Sequence, residues 1–309
     1  FPATHAAAML AAGDCNVALL TYGSTAHSDR RAIGTGGYAS SGPNNPHNNM
    51  EAPWGMTLIS NYGMVKARHM HQYGTTHEQF AAISIATRKH AMRNPEAVKA
   101  MTELEFVGIR ELTVEDVVDS RMVAWPLRLL ECCMISDGGG AVVIASKEVA
   151  RNTAKKPVWI IGTGEATKYR ENGGDITVSA GGQSGPRAFA DAGVSPSEID
   201  SLMVYDSFSI TVMCLIEDLG FCAKGEGGGF VDNGGIAPGG RLPVNTNGGG
   251  LSYCHPGMYG LLILIEAARQ IHGVCGQRQV DGAEIVLAHG NGGVLSSQCT
   301  VILGAESTL

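Results

Sequence analysis

Apolar positions along this chain recur with two periods, and stretches of the two alternate. Small apolar residues fill His5-Ala6-Ala7-Ala8-Met9-Leu10-Ala11-Ala12 before Gly13, which predicts a helix able to pack closely on every side and therefore a central, buried one. Val17-Ala18-Leu19-Leu20-Thr21-Tyr22 is a short apolar run ending at Gly23 and predicts a buried strand. A helix that leads straight into a strand implies that the chain opens inside a domain. Residues 24–63 are polar around Ser41-Gly42-Pro43-Asn44-Asn45-Pro46 and read as a loop excursion. Thr76 with Gln79 is a capping-box pair, so a helix is expected to about Arg93, where Asn94-Pro95 stops it. Thr113 with Asp116 marks another short helix start.

Cys132 to Ile144 then reads as a glycine turn, Gly138-Gly139-Gly140, feeding a buried strand. The charged segment Arg151 to Pro157 is the best internal boundary and divides the chain into halves at 1–150 and 151–309. Val158 to Ile161 predicts a strand, Ser195-Pro196-Ser197-Glu198 a helix start, Leu202 to Tyr205 a strand, and Ser209 to Gly220 a helix. Met258, Leu261, Leu262, Ile265 and Ala268 keep helical spacing; Ile285 to Ala288 and Cys299 to Leu303 close the chain as strands. Alternation of this kind indicates a layered α/β fold.

Composition narrows the functional classes. The 309 residues are 44% hydrophobic and 17% charged, and the 42 glycines follow no period, which means many tight turns rather than a fibre. A net charge of -7 with no basic run gives no electrostatic footprint for nucleic acid. The eight cysteines form no C-x-x-C pair and no zinc-ligand spacing, as free thiols in a reducing compartment would. Of His69, His71, His77 and His90, only the first two are close in sequence, so no metal site is expected. Nothing reads as a membrane span or signal peptide, and the expectation is a soluble, cytoplasmic protein.

Candidate chemistry gathers around Val244 to Gly260. Three glycines, Gly248 to Gly250, strip side chains from a loop, and His255-Pro256 is expected at the mouth of the apolar helix behind it. Free N–H groups of a first helical turn would keep such an imidazole neutral. Tyr205 and His289 are expected at strand ends flanked by tight turns, where layered α/β proteins place their crevice. Each residue alone has an ordinary structural reading, as a helix-start residue or a strand-end anchor. Their convergence with the glycine loops is what argues for one shared site.

Asn245-Thr246-Asn247-Gly248-Gly249 with His255-Pro256, Ser136-Asp137-Gly138 and Tyr205-Asp206-Ser207-Phe208, in this order, resemble the motifs of the thiolase superfamily. The likeness is greatest to thiolase-like proteins related to sterol carrier protein x. The resemblance implies a thiolase fold, two similar layered α/β halves (α-β-α-β-α) around two buried helices, one at residues 5–12 and one after Pro256. It implies acyl-CoA chemistry with coenzyme A as substrate or cosubstrate and no permanently bound cofactor. The family's nucleophilic cysteine would fall upstream of Phe1, and Cys15, beyond the helix, does not replace it. His255 matches the Gly-His-Pro histidine, which would activate that nucleophile and help hold the thioester oxygen. Ser207 stands where relatives keep an acid/base cysteine, and His289 stands at or beside the second such cysteine. A serine is a poor base near neutral pH, so proton transfer is assigned to His289, with the Gly290 or Asn291 N–H group as oxyanion donor. Asn247 and Tyr253, beside the glycine loop, are expected at the substrate.

Tyr205 replaces the family's Asn or His, and as a hydrogen-bond donor it would suit an enolate or aldol oxygen. The expected reaction is therefore thiolase-type cleavage or formation of a carbon–carbon bond. The alternatives are retro-aldol cleavage of a CoA-linked β-hydroxy side chain and a non-catalytic acyl-CoA or lipid-binding subunit. The resemblance also implies a dimer at least and a small OB-fold, zinc-ribbon partner, with acyl choice set by loops such as residues 38–63.

Overall fold

A computed structural model describes residues 1–29, 57–105, 108–168 and 174–309 of the chain. The centre of the expected excursion at 24–63, and most of the 38–63 loop, lie outside those residues. Helix α1 (Pro2–Ala12) has proline in its first turn and stops at Gly13, whose φ of 79° is left-handed. It leads into strand β1 (Val17–Ser24). Helix α2 (Leu58–Tyr73) starts on a reciprocal cap between Thr57 and Ser60, earlier than the polar reading to residue 63 allowed. Helix α3 (His77–Ala91) starts on the Thr76/Gln79 capping box, and Asn94 caps α4 (Pro95–Glu103). The capped turn at Thr113 opens a five-residue helix, Val114–Val118.

Strand β2 (Gly138–Ala145) pairs antiparallel with β1, Val17 opposite Ala145 and Ser24 opposite Gly138. A second sheet has four strands, β3 (Trp159–Thr167), β4 (Ser201–Val204), β5 (Ile285–Gly292) and β6 (Ser297–Gly304), in the order β3-β6-β5-β4. Its first two pairings are antiparallel and the last, β5 with β4, is parallel. Helix α5 (Gly181–Ala192) lies on one face against β3 and β6, and α6 (Ser209–Asp218) enters the core between α3 and α2. After the short α7 (Gly249–Ser252), helix α8 (Gly260–Ile271) packs on β5 and β4 with one side and on β2 and β1 with the other. The order is thus sheet, helix, sheet, helix, with α1 and α8 each touching strands of both sheets.

Two expectations about burial are corrected. Helix α1 touches strands of both sheets, yet it buries only Ala3, Thr4 and Ala6. The helix enclosed on all sides is α6, where every residue from Ser209 to Glu217 is buried. Strand β1 is not a buried strand: exposed and half-buried residues alternate along it, and Leu19 is 63% exposed. Among the described residues the helices α8 and α1 cover one face of the β1–β2 ribbon, so one residue in two is left outside. The main apolar core forms around α6, and a second cluster lies between α8 and the four-stranded sheet. No described helix is long and apolar enough to cross a membrane.

Candidate active site

The backbone of His255 is fixed by a bridge to Ile135, and Ser136 Oγ accepts its N–H at 2.9 Å. The expected place at a helix mouth is corrected. Gly257, with φ of 111°, turns the chain after Pro256, and α8 begins at Gly260, so His255-Pro256 does not open that helix. Burial keeps the imidazole neutral instead, pushing its pKa down to about 4. Tyr205 meets the ring edge-on at 5.3 Å and Tyr259 stacks on it at 6.2 Å. The side chain is 2% exposed, and neither ring nitrogen has a hydrogen-bond partner among the described residues. A buried polar group left in that state is costly unless a ligand or water meets it.

Glycines bring the chain to this place for a reason the loop reading did not contain. The Asp206 carboxylate accepts the N–H groups of Gly250 at 2.6 Å and Leu251 at 3.2 Å, clamping the first turn of α7. Gly248 and Gly249 take φ of 104° and 59°, and a Cβ on Gly249 would overlap Asp206 Oδ2. The three glycines are therefore a close-approach device, and Gly249 to Ser252 are helical rather than loop. Full burial pushes the Asp206 carboxyl up to about 7, against the pull of those two N–H groups.

His255 lines a cavity of about 1010 Å³ together with Tyr205, Ser207, His289, Gly290 and Asn291. Most of the remaining wall is aliphatic or aromatic; among the described residues no carboxylate lines it, and Arg121 is its one Lys or Arg. The Tyr205 hydroxyl donates to Gly257 O at 2.9 Å, and burial raises its pKa, so it stays a phenol. Ser207 Oγ pairs with Thr211 Oγ1 at 3.2 Å. Three thiols, Cys132, Cys133 and Cys299, also face the cavity. Burial holds all three protonated, Cys132 pushed up to about 12, so none is a ready thiolate.

Other sequence expectations meet a different geometry. Strand β5 does not end at Ala288 but runs through Gly292, so His289, Gly290 and Asn291 are ladder residues rather than a turn. His289 is fully buried with its pKa pushed down to about 4, and both ring nitrogens are engaged, Nδ1 with Thr300 Oγ1 at 2.8 Å and Nε2 with Gln298 Oε1. That leaves it no free nitrogen for the proton transfer assigned to it. Asn247 and Tyr253 do not line the large cavity: they lie on a smaller one of about 250 Å³. There Asn247 Oδ1 accepts from Gly249 N–H and the Tyr259 hydroxyl, while Tyr253 donates to Glu96 at 2.8 Å. Among the described residues no cluster of three or more His, Cys, Asp or Glu is arranged for a metal; His69 pairs with Glu217 and His90 with Ile236 O.

Tyr62, Gln298 and the clamping role of Asp206 escaped the sequence reading. Tyr62 carries no local signal, and the motif Tyr205-Asp206-Ser207-Phe208 marks Asp206 without showing that its carboxylate meets Gly250 and Leu251. Gln298 does carry one, because it alternates with Thr300 on a strand that is apolar from Val301 to Leu303, which puts both on one face opposite Asn291 and His289.

Comparison with known proteins agrees with this architecture. The family described as "Thiolase C-terminal domain-like" matches residues 162–305. The acetyl-CoA acetyltransferase of Methanothermobacter thermautotrophicus is 40% identical over 247 residues, 79% of this chain and 62% of that protein. The steroid side-chain-cleaving aldolase of Thermomonospora curvata is 36% identical over 264 residues, 82% of this chain and 64% of that protein. The chain thus spans under two thirds of the length of both. Among solved structures, an Ltp2-ChsH2(DUF35) aldolase superposes with a TM-score of 0.83 at 32% identity, covering 98% of this chain and 76% of that one. A likeness of that extent to one structure, with the matched family across the second sheet, places the chain in the thiolase superfamily, to which it belongs.

Proposed function

We propose that this protein makes or breaks the carbon–carbon bond beside a CoA thioester carbonyl, with His255 as the group that holds and moves the proton. The observation that carries the reading is the His255 imidazole, neutral, buried and unpartnered at the wall of a large cavity beside Tyr205. Without a carboxylate in the described wall, and with its thiols protonated, His255 is the cavity's available base.

Retro-aldol cleavage fits this set best. His255 takes the proton of a β-hydroxyl, the pair of the Cα–Cβ bond passes to the thioester as an enolate, and a carbonyl compound leaves. Protonation at Cα then gives the shortened acyl-CoA. The likeness to two aldolases supports this reading. Thiolase-type acyl transfer, the first expectation from sequence, is the second reading, supported by 40% identity to an acetyl-CoA acetyltransferase. Both pass through the enolate. The mostly apolar wall suits an acyl group of hydrocarbon character. A DUF35 partner, of the kind joined in the name of the solved neighbour, belongs to the proposal, as does the dimer implied by the family motifs.

The test follows the shared step. Wild-type protein incubated with an acyl-CoA in D2O is expected to exchange the α-proton, read by mass spectrometry, and His255→Ala to slow exchange by about 10²–10⁴-fold. Equal exchange by both proteins would exclude His255 from the chemistry. Incubation with a β-hydroxyacyl-CoA, or with a 3-oxoacyl-CoA and CoA, then separates the two reactions.

A further inference from the structure

In the cavity wall, one hydrogen-bonded chain joins four side chains. His289 Nε2 meets Gln298 Oε1; Gln298 Nε2 donates to Asn291 Oδ1 at 2.6 Å; Asn291 Nδ2 donates to the Tyr62 hydroxyl at 2.9 Å; and that hydroxyl donates to Gly293 O at 3.0 Å. Taken alone, a chain of amides and hydroxyls is self-consistent in either direction, because every internal member can donate and accept. Its end removes the ambiguity. The Gly293 carbonyl can only accept, so Tyr62 donates to it and must accept from Asn291, and each link upstream is oriented in turn. At the far end His289 carries its proton on Nε2 and accepts from Thr300 Oγ1 on Nδ1.

From this we infer that Gln298 is a positioning residue: by donating to Asn291 Oδ1 it holds that amide with Nδ2 towards Tyr62, which leaves the phenol hydrogen of Tyr62 for the cavity. Tyr62, Asn291 and Gly293 all line that cavity, and Gln298 is fully buried behind them. A substrate oxygen that takes the place of Gly293 O would receive the Tyr62 hydrogen without any rearrangement upstream. Burial raises the Tyr62 pKa, in keeping with a donor rather than a base. The oxygen concerned is the enolate or carbonyl oxygen of the reaction proposed above, and on that reading Tyr62 is a further catalytic residue.

Histidine-selective ¹⁵N NMR of the wild-type protein, without substrate, reads the first part. The expected spectrum has His289 neutral and protonated at Nε2; an Nδ1–H tautomer would reverse the chain and overturn the inference. Gln298→Glu keeps the shape but cannot donate to Asn291, so Asn291 flips and Tyr62 turns away from the cavity. His289 beside the new carboxylate then becomes an imidazolium. The expected kinetic outcome is a loss in kcat on the order of tenfold with KM unchanged, while Tyr62→Phe loses about 10²-fold. Because Gln298 acts through Tyr62, the double variant is expected to be no slower than Tyr62→Phe alone. Additive losses, or an unchanged kcat in Gln298→Glu, would sink the assignment. A wild-type protein with no α-proton exchange would defeat the proposed reaction instead, leaving the NMR result to decide the chain's direction.

Discussion

Gly249 shows what a single side chain would cost here. Its φ of 59° is unfavourable for any residue with a Cβ, and that Cβ would overlap Asp206 Oδ2. Gly249→Ala is therefore expected to destabilise the fold by about 3 kcal/mol, combining backbone strain with a displaced carboxylate. A urea midpoint equal to that of the wild type would show that the clamp is unimportant. The glycine run and His255 were both legible in the sequence, but the reason for the glycines was not, since the carboxylate they accommodate lies 44 residues upstream of Gly250. Likewise Tyr62 meets Asn291 across 229 residues, a distance at which no local pattern operates.

Among elements, those with a local stop or start chemistry were the readable ones. Thr76 Oγ1 accepts Gln79 N–H while the Gln79 side chain accepts Thr76 N–H, and the helix begins at the next residue, His77. Thr76→Ala is expected to cost about 1 kcal/mol, measured as a shift in the unfolding midpoint. A variant as stable as the wild type would mean that solvent caps α3 equally well. Helix α8 was misplaced by its start, because proline suits a first helical position but Gly257 takes the chain elsewhere. Strand β5 was read as ending at Ala288, since the polar residues His289 and Asn291 look like a turn. They sit in the strand because β6 supplies Thr300 and Gln298 opposite them.

At the scale of the molecule, buried ionisable groups set the response to acid. Burial pushes His90, His255 and His289 down to about 4 in the folded chain, against about 6.5 when unfolded. Between those values the unfolded state binds three protons that the folded state refuses, so stability falls as pH falls through 6.5 towards 4. Asp206 acts in the opposite sense: with its folded pKa raised to about 7, the folded state holds a proton that the unfolded state lacks down to about pH 4. Three histidines against one carboxyl leave a net uptake of two protons on unfolding, a slope of at most about 2.7 kcal/mol per pH unit. Denaturant midpoints at pH 6.5, 5.5 and 4.5 are expected to decline accordingly, and Asp206→Asn to steepen the decline. Midpoints that do not change over this range would contradict the neutral state of the buried histidines.

The amino-acid sequence by itself determined the alternation of helices and strands, the capped helix starts, the glycine run with His255, and the superfamily. Each of these rests on local patterns: apolar periodicity, a cap three residues from its partner, a run without side chains. Tertiary structure alone decided that Asp206 clamps the glycines, that His289 is bonded at both nitrogens, and that Asn247 and Tyr253 line the smaller cavity instead of the large one. The physical reason is that burial and hydrogen-bond partnership belong to pairs of distant residues, and a side chain's chemistry follows from what the fold places against it.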